Sequence, residues 1–402
     1  MKYLGHPQAE LEAAGGIWTA REISQQPAVW PKIDSELKGS ARAFLQPLLE
    51  RKDLRIVLTG AGTSAFVGEC LLPAVKRATG LRVEAIATTD LVGSPGSWFD
   101  ATVPTLLVSF ARSGNSPESL AAVNLAEQVV RDRHHLIVTC NRNGELYRRA
   151  QQLQNTHVLL LPEETDDRGF AMTSSFSGMI LAAALAFDAL PADEVAQIGS
   201  WAAGVLNTRV PLIEELAQAG FERVVYLGGQ EFKGLAREAA LKMLELSDGN
   251  MVALAETPLG FRHGPKTIVN GKTLIVMFLS NDPYARQYEN DLLRELRSDG
   301  VAGRVIVLSA SESRTGVGAL SAADKSGLDV ELPRAASEGD VTVGTPSGAT
   351  NLALCFPYAV FAQTFAFLRS LSLGLRPDTP NARGVVNRVV QGVSIYPWNP
   401  TR

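Results

Sequence analysis

The sequence predicts an α/β protein with two tandem domains, each a parallel sheet flanked by helices, and three observations carry that prediction. From Leu54 onward, apolar runs of strand length alternate with periodic segments of helix length, the pattern of a parallel sheet covered on both faces. The second half then matches the first at one offset: residues 56–60 match 224–228, 105–110 match 273–278, and 137–139 match 305–307, each 168 residues apart. Finally, glycine-hydroxyl loops follow two strands of the first half, at the carboxyl ends where such sheets bind ligands.

Taken in order, residues 1–50 read as a helical arm. Thr19, with Glu22 three positions on, has the spacing of a capping box. Trp18 and Trp30 lie on a segment too short to own a core, so they are expected to pack on the main body or on a second subunit. Residues 51–200 form the first domain, with strands at 55–59, 83–87, 105–109, 135–139 and 158–161 and helices at about 65–78, 118–131, 144–154 and 173–188. Residues 201–375 form the second domain and 376–402 a tail. His134 and His135 precede a strand and read as surface residues.

Composition narrows the function. With 46% hydrophobic and 20% charged residues the chain can bury a large core. The formal net charge of −4, with Lys and Arg scattered, offers no basic tract for nucleic acid or anionic lipid and leaves a small molecule as the expected partner. Cys70, Cys140 and Cys355 lack metal-ligand spacing and read as buried thiols in a reducing cytoplasm. The histidines form no paired metal motif, so no metal is expected. The N-terminus has no apolar core of a secretory signal, and the longest apolar run, 179–187, is too short to cross a bilayer, so the expected location is cytoplasmic.

The loop after the strand at 105–109 has the chemistry of an anion site. Ser113, Asn115 and Ser116 can donate hydroxyl or amide hydrogens, Gly114 admits close approach, and Arg112 adds a forked cation. Ser116 is the natural N-cap of a helix that has Pro117 at its first position, so the loop lies at a positive helix end. A second loop, 60–64, adds Thr63 and Ser64. Neither loop is a Gly-Lys-Ser/Thr nucleotide loop or a Gly-x-Gly-x-x-Gly, so a nucleotide is not the expected ligand. In the second half the corresponding stretch 279–284 lacks the glycine and carries an acid, so only the first half is expected to hold an anion.

A helix over about 233–247 places Glu238, Lys242 and Glu245 on one face. On spacing alone this is a solvated face with one Glu-to-Lys pair of favourable orientation. The loop that follows changes the reading, because His263 stands in a glycine-proline turn and can move a proton either way near neutral pH. A carboxylate, a lysine and a histidine beside an anion loop are what proton transfer on a sugar phosphate requires.

G-A-G-T-S at 60–64, S-G-N-S at 113–116, E-A-A-L-K-M-L-E at 238–245 and F-R-H-G-P at 261–265 resemble the sugar isomerase (SIS) domain family in its double-domain form, which includes the isomerase half of glucosamine-6-phosphate synthase. R-G-F-A-M-T-S-S at 168–175, F-R-H-G-P-K and the tail R-P-D-T-P with V-N-R-V-V-Q-G are similar to the AgaS group within it, whose members are described as galactosamine-6-phosphate deaminase/isomerase or tagatose-6-phosphate ketose/aldose isomerase. The resemblance implies two flavodoxin-like SIS domains and an enzyme without cofactor, a homodimer or tetramer whose active site is shared between subunits. It implies that Ser64, Ser113 and Ser116 bind phosphate, with Arg112 standing where the synthase has glutamine. It places Thr173 and Ser174 on the sugar hydroxyls or amine, Glu245 as the base between C2 and C1, Lys242 and Glu238 in support, and His263 as the ring-opening group from the neighbouring subunit. With no N-terminal cysteine nucleophile, the chain is not expected to take nitrogen from glutamine. The synthase has a tail lysine, whereas this chain has none after Lys325, so the tail either forms no Schiff base or only covers the site through Asn387, Arg388 and Gln391. Three other functions fit the same residues: a simple aldose-ketose isomerase, a glucosamine-6-phosphate deaminase and a non-enzymatic sugar-phosphate sensor.

Overall fold

The computed structural model describes residues 1–310, 341–342, 348–381, 383–390 and 392–399. Its first sheet holds β1 (Arg55–Thr59), β2 (Arg82–Ala85), β3 (Thr105–Ala111), β4 (Arg133–Thr139) and β5 (Thr156–Leu160), all parallel, in the order β2-β1-β3-β4-β5. The second holds β6 (Arg223–Leu227), β7 (Val252–Glu256), β8 (Thr273–Phe278), β9 (Arg304–Ser309) and β10 (Val341–Thr342), parallel in the order β7-β6-β8-β9-β10. The two sheets therefore share one strand order.

Register tests the sequence matches one by one. Arg55 lies opposite Thr105 and Arg223 opposite Thr273, so the first two matched segments occupy equivalent places. The third is slipped. Ile137 pairs with Ser109, but Val305 pairs with Ile275, the counterpart of Leu107, so Ile137 corresponds to Val307. A slip of two keeps every side chain on its own face, and apolar patterning alone does not reveal it.

Strand side chains are buried on both faces. Ile56 and Leu58 point into a core shared with Val224 and Tyr226 of the other sheet, while Val57 and Val225 face separate outer clusters. Between the sheets lie the helices Thr63–Thr79, Ser174–Ala186, Glu231–Leu246 and Asn351–Ser372. The last is long and apolar enough to cross a membrane, with a mean hydropathy of 1.4, yet that whole stretch is buried inside the fold. Helices Thr63–Thr79 and Glu231–Leu246 meet backbone to backbone: a Cβ on Gly234 would stand 2.6 Å from the Cys70 amide nitrogen, so only glycine fits. Ion pairs Arg77–Glu231 and Arg237–Glu69 flank that contact.

The N-terminal arm is helical, with its main helix at Ile17–Leu37, but its start differs from the expected capping box. Gly16 is the N-cap, and the tail supplies the acceptor: Asp378 takes bonds from the Trp18 amide (3.1 Å), the Thr19 amide (2.8 Å) and the Thr19 hydroxyl (2.7 Å). Glu22 accepts instead from the amides of Arg168 and Gly169. Trp30 packs on the main body, edge-on to Phe356 at 5.0 Å and donating to the Ser177 hydroxyl at 3.0 Å. Trp18 is partly exposed beneath the Arg168 guanidinium at 4.7 Å. The three cysteines are buried free thiols. His134 and His135 lie within β4 rather than ahead of it, and His135, expected at the surface, is fully buried, with its Nε2 bonded at 2.8 Å to the Glu127 carboxylate on the neighbouring helix.

Replacing Asp378 with Ala removes three bonds to one helix end. We expect a loss of ~1–2 kcal/mol in unfolding free energy, read as a lower midpoint in urea or thermal unfolding. An unchanged midpoint would show that the tail cap adds nothing.

Candidate active site

The end of β3 turns sharply into the helix Pro117–Val129. Gly114 takes φ +66°, and Ser116 is the N-cap, accepting from the Ser119 amide. The loop is braced from behind: the Asn141 side-chain Nδ2 donates to the Ser113 carbonyl at 3.0 Å, and the Asn115 side-chain Oδ1 accepts from the Glu145 backbone amide at 2.9 Å. At the end of β1, a Cβ on Gly60 would come within 2.5 Å of the Ser64 backbone, so glycine there lets the first turn of helix Thr63–Thr79 close onto the strand and buries Thr63 and Ser64.

Arg112 is 6% exposed. Its Nη1 donates to the Phe170 carbonyl at 3.3 Å and its Nη2 to the Arg388 carbonyl at 2.8 Å, while its buried Nε has no hydrogen-bond partner. Burial and the charge of Arg388 lower its pKa, against the pull of Asp167, Glu245 and Asp166.

The helix Glu231–Leu246 brings its three charges to the same place. Glu238 and Lys242 are fully buried, although an amphipathic pattern had pointed their face at solvent. Lys242 Nζ lies 3.5 Å from Glu238 Oε1 and forms a close ion pair with Glu245 Oε2. Burial opposes the charge on Lys242, but its two carboxylate neighbours outweigh burial and raise its pKa. Burial, reinforced by Glu245, pushes Glu238 up to about 8, with Lys242 and Thr63 pulling the other way. Neither Glu238 oxygen meets a hydrogen-bond partner of good geometry. The resulting arrangement is an ammonium between a neutral carboxyl and a carboxylate, with Arg112 close enough to act on both Lys242 and Glu245.

Thr173 and Ser174 are buried, and their hydroxyls have partners within the fold. The Thr173 hydroxyl donates to Asp167 at 3.1 Å and the Ser174 hydroxyl to the Glu22 carbonyl at 2.7 Å. Asp167 also accepts from the amides of Thr173, Ser174 and Ser175, capping the helix Ser174–Ala186 from outside. His263 stands apart from the cluster. Its side chain is exposed and makes no hydrogen bond or ion pair among the described residues, while Arg262 and Lys266 on either side tie its turn to Glu295. In the tail, Arg388 donates to the Asp167 carbonyl and lies 3.4 Å from Asp166. Asn387 is exposed, and Gln391 lies outside the described residues.

The matching crevice of the second sheet is filled by its own side chains. Asn351 donates to Gln230 and Ser280, both at 2.9 Å, and accepts from the Asn281 amide at 2.9 Å. Gln230 holds φ +53° where the first half has Gly62 at +56°, a backbone that costs a non-glycine residue strain.

Comparison with known proteins places the chain among relatives. The SIS domain model matches residues 48–189. The D-galactosamine-6-phosphate deaminase AgaS of Escherichia coli is 45% identical over 393 residues, covering 96% of this chain and 97% of its own length. That of a Shewanella species is 41% identical over 394 residues, covering 97% and 94%. The chain belongs to the AgaS family. A solved structure named tagatose-6-phosphate ketose/aldose isomerase, from Escherichia coli, superposes with a TM-score of 0.83 at 40% identity, covering 96% of this chain and 98% of its own.

Within this AgaS-family chain, sequence reasoning missed Glu22 and Asp167. Both are buried carboxylates that hold backbone amides of the 166–175 loop, and burial beside Asp167 pushes Glu22 up to about 9. The sequence trace of Asp167 was the Asp-Asp pair preceding the R-G-F-A-M-T-S-S run, and Glu22 was read only as part of a capping box. Glu238 gives a pH-dependent prediction. Its folded pKa lies above the unfolded value, so the stability it contributes is full below about 4.5 and is lost as pH rises through about 8. Glu238→Gln, which mimics the protonated form, should gain stability relative to the parent as pH rises across that window. Unfolding midpoints of both proteins, measured from pH 5 to 9, check this; a constant difference would show Glu238 ionised throughout.

Proposed function

We propose that this chain is a cytoplasmic homodimeric enzyme that converts D-galactosamine 6-phosphate and water to D-tagatose 6-phosphate and ammonia, with residues 51–200 and 201–375 as its two SIS-type domains. The observation that carries the reading is the buried Glu238–Lys242–Glu245 cluster set against Arg112 at the anion loop. The names of the AgaS relatives supply the substrate.

In this mechanism Thr63, Ser64, Arg112, Ser113, Asn115 and Ser116 hold the phosphate. His263 of a second copy opens the sugar ring; its exposure on a turn pinned to Glu295 supports that role, as do the exposed Leu244 and Leu259 nearby, which suit contact with another copy. Glu245 removes the C2 proton and returns it to C1, turning the aldehyde and amine into a ketose imine. Water adds to the imine carbon and ammonia leaves. Lys242 offsets the negative charge on the enolic intermediate, and Glu238, kept neutral by burial, adds no second anion beside it. Thr173 and Ser174 serve through Asp167, fixing the loop that backs the Arg112 side chain.

A second reading rests on the name of the solved relative. The same residues acting on tagatose 6-phosphate would pass through an enediol and release no nitrogen.

Glu245→Gln removes the base and leaves the anion loop intact. Turnover should fall by several orders of magnitude while binding of the sugar phosphate persists, as ammonia release and calorimetry would report. Full activity in the variant would remove Glu245 from the mechanism.

A further inference from the structure

The N-terminal arm has no part in the mechanism above, yet one side of its main helix carries polar side chains into the interior. Thr19, Glu22 and Gln26 of the helix Ile17–Leu37 are buried, and with the half-buried Gln25 they recur at helical spacing. This face grips residues 164–177 at several points. Glu22 Oε1 accepts from the Arg168 amide at 2.5 Å, and its Oε2 from the Gly169 amide at 3.2 Å. Gln25 donates to the Glu164 carbonyl at 2.7 Å, the Ser174 hydroxyl to the Glu22 carbonyl at 2.7 Å, and the Ser177 hydroxyl to Gln26 at 2.6 Å. The fit is close: a Cβ on Gly169 would stand 2.7 Å from the Thr19 hydroxyl oxygen and 2.9 Å from Glu22 Oε2.

One residue past Gly169, the Phe170 carbonyl accepts from Arg112 Nη1 at 3.3 Å. Asp167, Glu245 and Asp166 attract the Arg112 guanidinium through space, but no carboxylate among the described residues forms an ion pair with it. Its direction is fixed by backbone carbonyls, those of Phe170 and Arg388, and its buried Nε has no partner.

We propose that Glu22 is a positioning residue for substrate binding: through the Arg168 and Gly169 amides it sets the Phe170 carbonyl, and that carbonyl aims the Arg112 guanidinium at the substrate's phosphate. This rests on the reading that Arg112 holds the phosphate of a sugar phosphate. A guanidinium that meets phosphate in paired bonds is sensitive to small rotations, so a loop held firmly behind it is worth binding energy. Glu22 acts by shape and hydrogen bonding rather than by charge. Burial and Asp167, with Asp378, outweigh the Arg168 and Gly169 amides and leave it a neutral carboxyl near pH 7, which glutamine imitates.

The test is a double-mutant cycle on the full chain, read by KM and kcat for galactosamine 6-phosphate and by calorimetric binding of inorganic phosphate. Glu22→Ala should raise KM and weaken phosphate binding by about five- to twentyfold, with kcat changed less than about twofold. Glu22→Gln, which keeps an oxygen for the amides, should recover most of the loss. In an Arg112→Ala background the Glu22→Ala change should cost less than about a further twofold, because the group it acts through is gone. Gly169→Ala, which pushes the loop off Glu22 from the other side, should reproduce the KM rise and lose it in the Arg112→Ala background; it decides the question should Glu22→Ala fail to fold. Losses that multiply in the double variants, or KM and phosphate affinity unchanged in the folded single variants, would overturn the proposal. A parent inactive on every hexosamine phosphate, with phosphate binding coupled between Glu22 and Arg112 as stated, would overturn the functional reading and leave the Glu22 assignment standing.

Discussion

Everything in the site depends on one buried ammonium. Lys242 is held inside the protein between Glu238 and Glu245 on its own helix, and a lysine in that place is tolerable because it pairs closely with Glu245. The helix reaches that position because Gly234 lets it press against helix Thr63–Thr79, backbone against backbone. The contact joins the two halves of the chain. It sets the Glu238–Lys242–Glu245 cluster of the second half, our proposed proton-transfer group, against the Arg112 loop of the first, our proposed phosphate site.

Charge then divides the labour within the site. Burial keeps Glu238 neutral near pH 7, so Lys242 balances one carboxylate rather than two. Arg112 adds a fixed cation that is only partly satisfied by backbone carbonyls. In the proposed function the substrate's phosphate completes this balance, and a neutral sugar would leave the arginine as it is. The second sheet shows the opposite solution at its equivalent crevice, where Asn351, Gln230 and Ser280 satisfy one another. One strand order therefore carries a cluster of buried charges in one half and a mutually satisfied amide network in the other.

The sequence revealed the strands well, because parallel strands buried on both faces read as unbroken apolar runs, and it located the turn with Ser116 as N-cap. The match of 137–139 to 305–307 failed by two residues, since a shift of two conserves strand alternation. His135 was misplaced because a buried histidine and an exposed one look alike until Glu127 is seen beside the ring. The Glu238–Lys242–Glu245 face looked solvated by spacing, yet Glu238 and Lys242 proved buried and Glu245 partly so, which only the packing of the neighbouring helix decides. The partners of Glu22 and Asp378 were hidden for a related reason: each holds backbone amides from far away in the chain, and such caps leave no local pattern. Thr173 and Ser174 were found through family resemblance, but their hydroxyls are committed to Asp167 and to the Glu22 carbonyl.

The most direct test of this account is to incubate the purified protein with D-galactosamine 6-phosphate and quantify ammonia and tagatose 6-phosphate together. The account predicts both products in equal amounts. Aldose formed from tagatose 6-phosphate, with no ammonia released from any hexosamine phosphate, would contradict it.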